Sequence, residues 1–482
     1  MEEAYLIFDI GTGNSRAAVV SAGGTILSVA KENSIVHLDR QVKGASYFLP
    51  QEWEAAIWRL ARKALAGAGS GVRVTSVCAS SLREAVVLVD RQGESIIGYT
   101  NSDRRGESFM HELDWERIWE LTDLSPSPIF SAIKILGTAR REPEVLARTA
   151  FYTSVSDWVG YLFTGVGVWE RAQAMQSAVY DPMTGSWSEE LCGLTGIDST
   201  QLPPLADAGS VLGPVRPAVC QELGLAPGTR FIVGTADTQA ALTGAGGELG
   251  DTVIVSGTTS PCLKVIPAFR KYPLTWVSPT AERDRFMLEV NTTSSGINLQ
   301  RYKDAMLPEV SYAHLDQDAI ALGLPEEGLP PCFAMFQRGM HLDRDCLTGG
   351  FLMRVPFSPE LRQESFFHAL SLNIGMGITL CLQRIDQLEG LEKDYLVGGG
   401  GGFTSPIIGQ TVADLTGRPI RLPVTFREAT VYGCAALCRR AAGAEGTGPA
   451  LLREILPKPA PALEDYFAQW QHCRQKLQEI EL

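Results

Sequence analysis

At 482 residues, 45% hydrophobic and 20% charged, the chain has room for two or three domains, and its composition is that of a self-folding globular protein. Its 55 acidic against 42 basic residues leave a net charge of -13, which repels nucleic acid and anionic lipid. A phosphate-bearing ligand must therefore be held by local backbone donors and metal.

The opening MEEAYLIFDIG has two acids and a short apolar run where a secretory signal carries basic residues and a longer apolar stretch. No later segment reaches ~18 uninterrupted apolar residues, so no membrane span is expected. The cysteines (Cys78, Cys192, Cys220, Cys262, Cys332, Cys346, Cys381, Cys434, Cys438 and Cys473) show no CxxC pair and no histidine cluster beside them, which fits reduced thiols in a cytoplasm. Cys434 and Cys438, four apart on one helical face, read better as small apolar packing residues than as a metal or redox pair.

Along the chain, Tyr5–Asp9, Ala17–Val20 and Thr25–Ala30 alternate with glycine turns as a β-meander, with a phosphate-sized loop at Gly11–Gly13. Trp53–Ala66 has helical spacing, Val72–Ala79 reads as a strand, and Ala85–Asp90 with Ser95–Tyr99 as a hairpin. Helices dominate from Trp115 to Leu194, and Arg230–Thr235 gives a buried strand. The glycines at 244, 246, 247 and 250 mark a domain boundary and hinge, dividing the chain into 1–245, 246–440 and a helical extension over 441–482. Asp251–Val255, a turn at Gly257–Ser260 and Cys262–Ile266 repeat the strand–turn–strand pattern of the N-terminus. Phe366–Leu388 is a long helix, Tyr395–Val397 a strand before the glycine run 398–402, and Gln410–Thr416, Glu428–Ala441 and Glu464–Leu482 are helices. Alternating strands and helices make this an α/β chain.

Four segments carry chemistry. Asp9-Ile10-Gly11-Thr12-Gly13-Asn14-Ser15-Arg16 places an acid at a strand end before a turn whose exposed N–H groups can form an anion site. Asp9 would hold Mg²⁺ through water, Arg16 would approach a phosphate, and an ordinary hairpin turn is the rival reading. Ser256-Gly257-Thr258-Thr259-Ser260 offers the other half of a phosphate clamp, against a common hydroxyl-rich turn. Gly398–Gly402, followed by Phe403-Thr404-Ser405, lets a flat ring or phosphate lie against backbone, with a flexible linker as the alternative. Asp237, leaving a buried strand and opening a helix, is placed either to accept the proton of an attacking hydroxyl or merely to cap that helix.

Together these pieces resemble the FGGY family of carbohydrate kinases. DIGTGNSR at Asp9, SSLREAVVLVD at Ser80, TNSDRR at Thr100, SDWVGYLFTG at Ser156, GTADTQAALTG at Gly234, SGTTS at Ser256 and GGGFTSPIIGQTVADLTGRPI at Gly400 carry the resemblance. It implies two actin/hexokinase-like (ribonuclease H-like) domains around a nucleotide-binding cleft. It also implies MgATP-dependent phosphorylation of a small sugar or polyol, a ketose such as a pentulose being favoured. By the same resemblance Asp9 is the metal-organising acid. Gly11, Thr12, Gly13, Asn14, Arg16, Gly257, Thr258, Gly400, Gly401, Gly402 and Ser405 bind nucleotide, and Asp237 is the base. Arg83, Glu84, Asp103, Arg104 and Gln239 join Asp237 on the sugar side. Gly137 stands where the family signature has tryptophan, and Asn373–Gly375 lacks an expected arginine and glutamate. The rival readings are a non-catalytic sensor of the same fold and a kinase of a linear signalling sugar of the autoinducer type. The oligomeric state is left open, a homodimer being one option.

Overall fold

The apolar alternation of the first strand is spent on two different cores. In this computed structural model, which describes residues 1–273, 275–292, 295–324, 332–336, 348–353, 355–444 and 448–477, β1 (Glu2–Ile10) is buried on both faces. Ala4, Leu6, Phe8 and Ile10 face a core shared with α1 (Pro50–Ala68), whose Trp53, Ile57, Leu60 and Ala64 line its inner stripe. Tyr5 and Ile7 face the opposite way, onto a helix near the other end of the chain. Cys346 and residues 478–482 of the expected last helix lie outside the described residues.

β1 pairs antiparallel with β2 (Asn14–Ser21), which pairs with β3 (Ile26–Asn33); on its other side β1 runs parallel to β4 (Val72–Ser81). With β5 (Val211–Pro214) and β6 (Arg230–Ile232) the six-stranded order is β5-β6-β4-β1-β2-β3. The second half repeats this plan. β7 (Thr252–Val255), β8 (Pro261–Ile266), β9 (Trp276–Pro279), β10 (Phe286–Asn291), β11 (Leu396–Gly399), β12 (Ile420–Pro423) and β13 (Leu451–Ile455) form a seven-stranded sheet ordered β9-β10-β8-β7-β11-β12-β13. Its central pairings match those of the first sheet, antiparallel on the hairpin side and parallel at β7–β11–β12. The duplication hinted at by two short loops is therefore a duplication of whole sheets.

A separate five-stranded sheet carries the hairpin Val86–Asp90 and Ser95–Tyr99, and α2 (Ser131–Arg141) lies beside it. A Cβ on Gly137 of α2 would lie 2.6 Å from the Gly106 nitrogen, so backbone fills the space that a larger side chain would need. α4 (Gln363–Glu389) is long and apolar enough to cross a membrane, but most of it is buried inside the second domain. There Asn373 accepts a hydrogen bond from Trp470 at 3.1 Å.

The two halves meet at α3 (Asp237–Gly244) and α6 (Ala429–Ala441). α6 packs Val431, Cys434 and Leu437 onto the first sheet, while Leu242 of α3 packs against Val253, Leu263 and Val397 of the second. Each helix thus covers the other domain's sheet. At their crossing a Cβ on Gly433 would lie 2.6 Å from the Ala240 carbonyl carbon, and one on Gly244 would lie 2.7 Å from the Gly433 nitrogen. Cys434 and Cys438 are packing residues of this interface.

The helical extension expected over 441–482 contains a strand as well as a helix. Residues 451–455 form β13, antiparallel to β12, before α5 (Pro406–Thr416) is covered by α7 (Pro461–Leu477). The strand escaped notice because Leu451-Leu452-Arg453-Glu454-Ile455 is a largely exposed edge with no alternation.

Candidate active site

Asp9 ends β1 beside the turn 11–14, where the Gly11 amide donates to the Asn14 carbonyl at 3.1 Å. A Cβ on Gly11 would meet that same oxygen at 2.8 Å, which is why the turn needs glycine there. Thr12 donates to Asn101 at 2.8 Å, while Gly13 and Asn14 are exposed. Arg16 does not reach into open space. Its guanidinium donates to Asp9 at 2.7 Å and pairs with Glu428, just before α6, so it ties the turn 11–14 of one domain to the other domain.

On the second sheet Gly257, Thr258 and Thr259 form an exposed turn, whose Thr258 carbonyl accepts from the Ile297 amide at 3.2 Å. The glycine run interlocks with the neighbouring turn. Gly402 donates to the Ser256 carbonyl at 2.9 Å, and Gly400 to the Phe426 carbonyl at 2.6 Å. Gly400 has φ +91, and a Cβ on it would lie 2.9 Å from the Ser256 carbonyl carbon; one on Gly402 would lie 2.7 Å from the Ser256 Cβ. Gly401 has open space around it. Ser405 does not belong to this open surface, because its hydroxyl donates to Asp316 at 2.7 Å inside the domain.

Asp237 is the first residue of α3. One carboxylate oxygen accepts the Thr238 amide at 2.6 Å, and among the described residues the other accepts no hydrogen bond. Burial raises its pKa above the ordinary aspartate value, the Arg83 charge opposes this, and the Asp9 carboxylate reinforces it. These three groups therefore share one electrostatic neighbourhood. Two carboxylates are a donor set of the kind that would suit Mg²⁺, which takes one or two carboxylates and completes its shell with water and phosphate oxygens. Asp9 and Asp237 are the residues that would face it.

Arg83 makes a two-pronged pair with Glu289 of β10, at 2.6 and 3.1 Å, and its guanidinium sits 5.5 Å above the Trp276 ring. Glu84 has φ 59, which turns its carbonyl onto the Lys134 ammonium at 2.6 Å and the Ser131 hydroxyl at 3.0 Å. Burial raises the Glu84 pKa and lowers that of Lys134.

Three residues expected on the sugar side are engaged with partners inside the protein. Asp103 has no exposed surface, because its carboxylate accepts the Ser46 amide at 2.7 Å and Arg105 at 2.9 Å, with Arg105 stacked 3.7 Å over Tyr99. Arg104 pairs with Glu107 at 2.5 Å. Gln239 is fully buried and donates to Ser278 and to the Pro279 carbonyl of β9. Asp103 and Gln239 thus have their side chains turned onto protein partners, while Arg104 keeps part of its surface exposed. Glu289, Trp276, Glu428 and Lys134 contact the expected residues Arg83, Arg16 and Glu84, and sequence reasoning did not single them out. A legible signal exists only for Lys134, a lone cation in the apolar run 132–136.

Two duplicated sheets joined through crossing helices, each carrying a glycine-rich turn, make a two-domain fold of the actin and hexokinase architecture. The chain belongs to the FGGY family of carbohydrate kinases: the family's N-terminal domain model matches residues 4–244 and its C-terminal domain model residues 338–442. Its relatives include a Bacillus subtilis (strain 168) chain named "Putative sugar kinase YoaC", 31% identical over 98% of this chain and 97% of that one. An autoinducer-2 kinase of Klebsiella pneumoniae is 27% identical over 97% of this chain and 93% of its own. Among solved structures, xylulose kinase from Lactobacillus acidophilus has a TM-score of 0.85 at 16% identity, covering 98% of each chain. Plasmodium falciparum glycerol kinase with ADP has a TM-score of 0.84 at 16% identity, covering 100% of this chain and 99% of that one. The protein is an ATP-dependent carbohydrate kinase, and the non-catalytic alternative is set aside.

Proposed function

We propose that the chain transfers the γ-phosphoryl group of MgATP to a hydroxyl of a small sugar or polyol, with Asp237 as the general base. The observation that carries this is the unpartnered oxygen of Asp237, held on a rigid helix start beside Arg83 and Asp9. Arg83 and Glu84 orient the acceptor. Asp237 takes the hydroxyl proton as the oxygen attacks phosphorus in line, the bond to the β-phosphate oxygen breaks and ADP leaves. With the Gly11 and Gly257 amides taken by the Asn14 and Thr259 carbonyls at 3.1 and 2.8 Å, backbone donors at Thr12, Gly13 and Thr258 hold the phosphates, and Gly400–Gly402 present bare backbone to the nucleotide base. Mg²⁺, beside Asp9, would neutralise charge on the transferred group. Closure of domains 1–245 and 246–440 about α3 and α6 excludes water that would otherwise be phosphorylated. The reading places the enzyme in the cytoplasm, where ATP is supplied.

A ketose such as a pentulose is the favoured acceptor. The relatives named autoinducer-2 kinase, together with the Arg83–Glu84 pair, support a linear signalling sugar as the second reading. ADP release measured across ketopentoses, polyols and a linear autoinducer-type sugar tests both: stimulation by one class selects it, and stimulation by none refutes the proposal.

A further inference from the structure

Arg83 and Glu289 join the two domains on the acceptor side of the cleft. Both prongs of the guanidinium are taken, at 2.6 and 3.1 Å, and Glu289 has no exposed surface. Asn291 donates to the same carboxylate at 3.0 Å, which fixes its position on β10. A buried two-pronged pair of this kind is held by geometry as well as charge, and separating it leaves an uncompensated ion. The positive charge of Arg83 is therefore already balanced from within the protein. Around it stand Glu84, whose carboxylate is 3.9 Å from the guanidinium, and Asp237. The Lys134 ammonium is directed away, onto the Glu84 and Ile129 carbonyls, with no exposed surface. Among the described residues, the wall that meets the acceptor thus offers hydrogen-bond acceptors and a neutralised arginine, with no surplus cation.

From this we infer that Glu289 is a specificity-determining residue. By occupying Arg83 it restricts the acceptor to uncharged polyols and ketoses and rejects sugar acids. The fold does not make this choice, since xylulose and gluconate kinases of Lactobacillus acidophilus both match it with a TM-score of 0.85. A carboxylate on the acceptor would enter a site of like charge, where such a juxtaposition costs several kcal/mol, a factor of at least about 10². Glu289 acts through Arg83, so it is a positioning residue and not a catalytic one. The inference rests on the acceptor site proposed above.

The test compares kcat/KM for glycerol, ribitol and D-xylulose with that for glycerate, ribonate and gluconate. Wild type is expected to favour the best neutral acceptor over every acid by at least about 10²-fold. An acid within tenfold of the best neutral acceptor overturns the inference and leaves the kinase reading standing; no stimulation by either set overturns the kinase reading itself. Glu289→Gln keeps the shape and one acceptor oxygen while freeing the Arg83 charge. It is expected to narrow the ratio at least tenfold through a lower KM for the acid, with kcat for the neutral acceptor changed less. An unchanged ratio in a variant with wild-type circular dichroism and melting overturns the inference, and the wild-type comparison decides alone if the variant does not fold.

Discussion

Gly433→Ala probes the hinge at one atom. The added Cβ would lie 2.6 Å from the Ala240 carbonyl carbon and closer still to its oxygen, inside the 3.0 Å limit that real Cβ atoms respect. Both obstacles are helix backbone, so α6 must move off α3 by roughly half an ångström or more. Overpacking of this kind costs about 1–3 kcal/mol. For domains of this size each kcal/mol lowers the melting temperature by ~2–4 °C. The same displacement moves Glu428, which holds Arg16, relative to Asp237, and misplacement by ~1 Å costs about 10²-fold in turnover. The assay is thermal unfolding beside sugar-dependent ADP release, with Gly193→Ala as control. Gly193 also sits in a helix, but its Cβ would have no atom within 4 Å, so alanine there is expected to stabilise by about 0.5–1 kcal/mol. A Gly433→Ala protein with wild-type melting and turnover would refute the hinge geometry.

Arg83→Gln removes the cation that opposes the burial-raised pKa of Asp237, so the acid limb of kcat/KM is expected to move to higher pH, and a limb that stays or falls contradicts the pairing. Burial pushes Asp157 to about 7 and Glu170 to about 8, so the stability they contribute is complete below the ordinary carboxylate range and is lost as pH rises through those values. The urea midpoint should therefore fall between pH 5 and pH ~8.5. In Glu170→Gln that fall should shrink, while the midpoint at pH 5 drops, because an amide cannot accept from both Ala172 and Gln173 as the carboxyl group does at 3.0 and 3.1 Å. Ser405→Ala breaks the buried bond to Asp316 and should cost about 1–3 kcal/mol with the KM for ATP changed less than threefold; a large rise in that KM would return Ser405 to the nucleotide site.

The turns were readable because their chemistry is local. Gly11 and the 398–402 run announce themselves by composition, and in the structure Gly11, Gly400 and Gly402 sit where a side chain would collide with backbone or with Ser256. Asp237 was readable as the polar residue leaving a buried strand. What the sequence does not display is which partners each polar side chain finds once the chain is packed. Arg83 and Glu289 are 206 positions apart, and nothing near Glu289 in Phe286–Asn291 distinguishes a buried carboxylate from a solvent-facing one. Asp103 with its arginines resembles the family's sugar-side acid–arginine pair, and in the structure Arg105 pairs with Asp103 and stacks on Tyr99, which leaves the acid without exposed surface. Gln239 follows Asp237 by two, which sends it off the cleft side of the helix and onto β9. Strand β13 was hidden by its exposure, and Arg16 by a partner, Glu428, contributed by the other domain.

The most direct measurement is sugar-dependent ADP release by Asp237→Asn. The remaining amide oxygen can still accept from Thr238, and the repulsion with Asp9 disappears, so the fold should be retained or slightly stabilised. With a carboxylate base lost, turnover is expected to fall by about 10²–10⁴ while sugar and nucleotide still bind. Release within tenfold of wild type, from a protein that melts like wild type, would contradict a proton-accepting role for Asp237.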